Sequence, residues 1–149
     1  MFEQISDEHI TASSYGSARG FQYEPYRSRF SEFAAWISSQ YDTNQWIQAD
    51  FLTDKAIFKV ATKGRNEVEP YYYEWVTKYQ LKYSLSGSEA TFEYVTSPST
   101  GGDIVTFNAN SDGDSVVENE FAMIFARFFR LCPVEWHNRI SMRWEVYGC

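Results

Sequence analysis

Short runs of Tyr, Phe, Val, Thr and Trp alternate with polar residues between turn-forming clusters, and no apolar stripe at helical spacing runs through the chain. This pattern predicts an all-β fold. The strands fall at Gln45–Phe51, Ala56–Lys63, Glu74–Ser84, Thr91–Tyr94, Ile104–Phe107, Ala126–Leu131 and Ile140–Tyr147. Within Glu74–Ser84, Tyr79, Leu81 and Tyr83 alternate with Lys78, Gln80 and Lys82, which gives the strand one dry and one wet face. In the last strand Ile140, Met142, Trp144 and Val146 alternate in the same way with Ser141, Arg143, Glu145 and Tyr147. Turn chemistry separates the strands at Ser86-Gly87-Ser88, at Ser97–Gly102 and at Asn108–Asp114. Strands at this spacing predict two packed sheets, a β-sandwich or jelly roll, as a single domain over 1–149 with no linker or internal repeat. Tyr15–Asn44 and Arg65–Tyr73 do not fit the strand pattern. Both are long, irregular and aromatic, as functional loops tend to be.

Composition narrows the classes. A chain of 149 residues forms one ordinary domain and buries roughly 70% of its unfolded surface, so it needs no metal or disulfide cage to have a core. Its net charge of −7, with no cluster of Lys and Arg, argues against a nucleic-acid reader. No apolar run approaches a membrane span. The start, Met1-Phe2-Glu3-Gln4-Ile5-Ser6-Asp7-Glu8, lacks the basic and apolar regions of a secretory signal, so the protein is either cytosolic or its targeting segment has been removed. The two cysteines, Cys132 and Cys149, could form one bond, remain two thiols, or pair outside the chain. Aromatic residues make up 19% of the chain, and those not claimed by strands concentrate in the two irregular segments.

A series of ordered motifs carries a resemblance. They are Ile10-Thr11-Ala12-Ser13-Ser14, Arg27-Ser28-Arg29-Phe30, Asn44-Gln45-Trp46-Ile47-Gln48-Ala49-Asp50-Phe51, Val60-Ala61-Thr62-Lys63-Gly64-Arg65, Trp75-Val76-Thr77-Lys78-Tyr79 and Ala126-Arg127-Phe128-Phe129-Arg130-Leu131. Pro133, Trp136 and the run from Ile140 to Cys149 complete them. In order and spacing the chain resembles the discoidin domain, also called the coagulation factor V/VIII type C domain. The resemblance implies a galactose-binding-like jelly roll of about eight antiparallel strands, with ligand-carrying loops at one end. It also implies an extracellular adhesion or recognition module without catalysis or cofactor. Its expected partners are a cell-surface glycan, a phospholipid head group or a protein receptor. Arg29, Trp46, Asp50, Arg127, Arg130, Trp136 and Glu145 match scaffold positions of the family. Cys149 matches the second half of a disulfide that joins the domain's ends, and the first half would lie before Met1. The expectation is a module of a larger secreted or membrane-anchored protein with Cys149 unpaired.

Catalytic chemistry finds little support. His9 and His137 lie in different regions, and neither accompanies a nucleophile elbow or a metal-ligand spacing. Asp112 and Asp114 flank a glycine but lack the ligand series of a calcium loop. The irregular segments are richer. Arg19 and Phe21 lie in the first, whose small tip at Ser17-Ala18-Arg19 argues against deep membrane insertion, while Tyr23, Tyr26 and Phe30 pack the loop base. Trp36, Tyr41 and Asp42 follow, Trp36 as either a packing residue or a stacking face and Asp42 as a carboxylate suited to vicinal hydroxyls. Arg65 offers a planar donor fork, and Glu67, Tyr71, Tyr72 and Tyr73 complete the second segment. Tyrosine suits sugar faces and protein partners alike. Glu67 and Pro70 stand where the neuropilin-type carboxylate pocket carries hydroxyl groups, so that pocket is expected to be lost. The leading expectation is carbohydrate binding through these loops. The alternatives are anionic phospholipid, with Phe21, Tyr71 and Tyr72 at the interface and Arg19, Lys63 and Arg65 near head groups, or a protein receptor.

Overall fold

A computed structural model describes residues 2–65 and 73–149. Its strands are β1 (Ile10–Ala12), β2 (Ser17–Ala18), β3 (Phe21–Gln22), β4 (Trp36–Ile37), β5 (Ile47–Lys63), β6 (Trp75–Ser84), β7 (Glu93–Tyr94), β8 (Thr96–Ser97), β9 (Asp103–Ile104), β10 (Phe107–Asn108), β11 (Val117–His137) and β12 (Ser141–Gly148). Short 3-10 turns are the only helical elements among the described residues.

One long antiparallel ribbon organises the molecule. β5 and β11 pair from Leu131 opposite Ile47 to Val117 opposite Thr62, with register shifts at Glu120/Ile124 and Ala126/Phe128. Leu52 adopts φ 67° between the two halves of β5, and such irregularities bend and twist a strand. The halves then take different neighbours. Ile47–Ala49 pairs with β1 and Phe128–His137 with β6, whereas Ile57–Lys63 pairs with β12. The hydrogen-bonded order is β10-β6-β11-β5-β12-β4, with β1 added on β5 and β7 on β6. This continuous sheet folds over into a jelly-roll sandwich. Phe129 from one half stacks on Trp144 from the other with ring centroids 6.3 Å apart, and Phe2 meets Trp144 edge-on at 4.9 Å. Tyr79, Leu81, Ile57, Val60, Leu131 and Val146 fill the space around them.

The all-β reading holds, and several boundaries differ from it. The two strands expected at Gln45–Phe51 and Ala56–Lys63 are one strand bent at Leu52. The strand expected at Ala126–Leu131 extends to Val117–His137. Its bulges shift the side-chain alternation, leaving Met123 and Phe125 exposed, so the outer parts read as irregular. Ile104–Phe107 is interrupted, and Thr91 ends a 3-10 turn at Glu89–Thr91. The supposedly irregular stretch after Tyr15 contains a hairpin. β2 pairs with β3 around Arg19 (φ 53°) and Gly20 (φ 79°), the two left-handed residues that a tight two-residue turn requires.

Charged side chains lock the frame. Arg127 holds both oxygens of Asp50, at 2.8 and 3.0 Å, across the bend of the ribbon. Arg130 lies 3.9 Å from the ring centroids of both Trp46 and Phe92 and donates to both oxygens of Glu89. Arg29 donates to the carbonyls of Phe2 and Ile5, tying down the amino-terminal turn. The turn at Asp112 folds on itself, because its carboxylate accepts from the backbone of Asp114 and Ser115 and from the Ser115 hydroxyl. Cys132 and Cys149 are both free thiols.

Candidate ligand-binding cleft

Four pieces of chain converge at one end of the sandwich. The β2–β3 hairpin is anchored by the Gly16 amide donating to Ile37 O at 2.8 Å and the Tyr23 amide donating to Gly16 O at 3.0 Å. Gly16 itself passes close to β4. A Cβ there would lie 3.4 Å from Ser38 O, in ordinary van der Waals contact. The segment after β4 is fixed by the Ser39 amide, which donates to Ser14 Oγ at 3.1 Å. Asn138, with φ 62°, turns β11 into β12 and donates to Tyr73 O at 2.7 Å.

These pieces enclose an open cleft of about 260 Å³ lined by Gly16, Ser17, Tyr23, Ile37, Ser38, Ser39, Tyr41 and Arg139. Two of the lining residues, Tyr23 and Arg139, contact a buried ion network. The carboxylate of Glu74 accepts from Arg65 Nη1 at 3.2 Å and Ser141 Oγ at 2.8 Å on one oxygen, and Arg139 Nε stands 3.3 Å from the other. Arg65 Nη2 donates to the Tyr23 hydroxyl at 3.0 Å, and its guanidinium lies 4.9 Å from the Tyr23 ring centroid. Tyr23 is thereby held as a wall of the cleft. Arg139 differs from Arg65 in exposure, since 46% of its side chain reaches solvent and that of Arg65 is buried.

The residues expected at the ligand are distributed unevenly. Tyr41 lines the cleft and is 45% exposed. Asp42 lies behind it, with Oδ1 accepting from the Asn44 amide and from Gln45 Nε2. Gln45 Oε1 in turn accepts from the hydroxyls of Ser13 and Ser14, so Asp42 is linked to the cleft through Ser14 and Ser39. Phe21 lies on the hairpin with its ring 5.1 Å from that of Tyr23 and the Arg27 guanidinium 4.3 Å from its centroid, and Arg19 sits at the exposed hairpin tip. Tyr73 is 50% exposed next to Glu74. Two expected residues are buried. Trp36 has no exposed surface and donates its indole N–H to Ser14 O at 2.9 Å, and Arg65 is spent on Glu74 and Tyr23. Glu67, Tyr71 and Tyr72 lie outside the described residues.

Arg139, Ser17, Ser38 and Ser39 are cleft residues that the sequence reading did not single out. Asn138, tolerant of a left-handed turn, was the one local signal near Arg139. His9 lies 3.6 Å from Glu8, and His137 stacks on Trp75 with ring centroids 4.5 Å apart. No helix among the described residues is long and apolar enough to cross a membrane.

Known proteins are similar to this chain in sequence or in fold. Mouse retinoschisin is 35% identical over 116 residues, covering 77% of this chain and 49% of that protein. The chain spans about half or less of the length of the curated relatives it matches. The solved structure of wild-type discoidin II from Dictyostelium discoideum matches at a TM-score of 0.68 and 28% identity over 93% of this chain and 53% of that one. CpGH89CBM32-5 of Clostridium perfringens, solved in complex with GalNAc-β-1,3-galactose, shares the fold at a TM-score of 0.71 and 18% identity over 95% of this chain and 96% of that one. The sequence model of the F5/8 type C domain matches residues 9–146, and the chain belongs to that family.

Proposed function

We propose that this domain is a non-catalytic recognition module of an extracellular protein and that it binds carbohydrate in the cleft between the β2–β3 hairpin, the segment after β4 and the β11–β12 turn. The observation that carries the reading is the cleft's wall. A half-exposed tyrosine, three serines and an arginine surround a space of about 260 Å³, slightly below the roughly 300–1,000 Å³ of drug-sized ligand pockets. A sugar presents hydroxyls to such groups and an apolar ring face to a tyrosine. The backbone bonds at Gly16, Tyr23 and Ser39 fix these groups before any ligand arrives, which lowers the ordering cost of binding. The structural neighbour that holds a disaccharide supports the same reading through its fold.

A glycan array probed with the domain, followed by titration of the best binder against wild type and Tyr41→Ala, tests it. Binding that falls about tenfold or more in the variant, without a change in melting temperature, is expected. Sugar binding that Tyr41→Ala leaves intact would move the site elsewhere. If no sugar binds but the domain sediments with phosphatidylserine vesicles, the phospholipid reading replaces this one.

A further inference from the structure

The cleft's donors and acceptors are unequal. Among the described residues, Arg139 is the only charged side chain in its lining. The backbone of Arg139 is held on both sides, its amide donating to His137 O at 2.8 Å and its carbonyl accepting from the Ser141 amide at 3.0 Å. Its Nε lies 3.3 Å from the buried Glu74 carboxylate, close enough for an ion pair. That ion pair keeps the guanidinium beside Glu74, while its two Nη groups have no protein partner among the described residues. Among the described residues no carboxylate lines the cleft, and Asp42, next to Tyr41 in the chain, receives two hydrogen bonds on Oδ1. The lining hydroxyls of Ser17, Ser39 and Tyr41 both donate and accept, whereas the guanidinium is a planar fork that only donates. A group made only of acceptors, planar and negative, is its complement.

We propose that the cleft takes a carboxylate-bearing sugar, a uronic or sialic acid residue, with the carboxylate received by the outward Nη edge of Arg139. The proposal rests on the carbohydrate reading above and narrows it. Glu74 is then a positioning residue, since it touches Arg139 and not the ligand. The cleft's size confines recognition to about one ring, so the acidic residue must stand at a chain end or on a branch.

The test uses the whole domain and a panel of methyl glycosides of glucuronic, galacturonic, mannuronic and sialic acid. Each is titrated beside its own methyl ester, which keeps the ring and removes the charge. At least one acid is expected to bind about tenfold or more tighter than its ester, the loss of a charge-assisted pair. Arg139→Gln is expected to bring that ratio close to one. Arg139→Lys keeps a cation beside Glu74 but not the fork, and it should fold while retaining only part of the preference. Esters and neutral sugars that bind as well as the acids, with binding lost in Tyr41→Ala, would overturn the carboxylate proposal and leave the carbohydrate reading standing. A sulfated galactoside that binds as tightly as the best acid would overturn it in favour of general anion capture. Absence of binding by the acids, the esters and the neutral sugars of the array would overturn both readings.

Discussion

Arg139 stands 3.3 Å from the carboxylate of Glu74, a buried acid that also holds Arg65 from the opposite side. Removing that acid leaves the buried guanidinium of Arg65 without this partner and Ser141 Oγ without its acceptor. Breaking a buried ion pair from one side costs about 3–5 kcal/mol. Glu74→Ala is therefore expected to lower the unfolding free energy by about 3 kcal/mol in urea titrations. A loss below about 1 kcal/mol would show that the pair contributes no more than a surface bridge does.

An aromatic residue of β4 and one of the segment after it should separate cleanly. Trp36 is enclosed in the core, whereas Tyr41 stands half exposed in the cleft. Trp36→Ala is expected to cost about 3–5 kcal/mol through the cavity it leaves. Tyr41→Ala should stay within about 0.5 kcal/mol of wild type while losing ligand binding. Thermal melts of both variants, with titration of the second, check the contrast.

That contrast marks how much the sequence could say. The alternation of Tyr79, Leu81 and Tyr83 and of Ile140, Met142, Trp144 and Val146 placed the core strands, because period two is a local property. The bend of β5 at Leu52 and the full length of β11 escaped, since bulges erase the alternation that reveals a strand. Arg139 escaped for a different reason. Its ion-pair partner Glu74 lies just before β6, distant in sequence, and comes beside it only through the pairing that sets Trp75 opposite His137. The arginine beside a recognisable motif, Arg65, attracted attention instead, yet the fold turns it inward against Tyr23.

The two thiols should react at different stages of unfolding. Burial pushes the Cys132 thiol up to about 11, so its thiolate is scarce at neutral pH, and Cys149 is exposed. Iodoacetamide on the native domain at pH 8 is expected to add one label, at Cys149, with the second appearing only in denaturant. Mass spectrometry showing two labels on the native protein would contradict the burial of Cys132.

Leu52 holds a left-handed conformation, φ 67°, with its side chain substantially exposed. A branched residue pays a steric cost of roughly 1–2 kcal/mol there, which glycine avoids. Leu52→Gly should thus be neutral or stabilise the domain by up to about 1 kcal/mol, despite the usual penalty for glycine in a strand. A clear loss of stability would mean that the leucine side chain packs more than its exposure indicates.

The same bend supplies a pH dependence. Hydrogen bonds from Arg127 hold the Asp50 carboxyl below its ordinary value; burial opposes them, and the Leu52 amide and the Arg127 charge add to the lowering. A carboxyl with a lower value in the folded than in the unfolded chain adds stability that is fully present above the unfolded value, about 3.9, and is lost as pH falls through the folded value. Asp50→Asn removes the contribution at every pH. The variant is therefore expected to melt a few degrees below wild type at pH 7, with the gap closing as pH falls below about 4. Melting curves of both proteins from pH 7 to pH 2.5 decide it, because a gap that stays constant across that range would show that the Asp50 charge is not what closes the ribbon's bend.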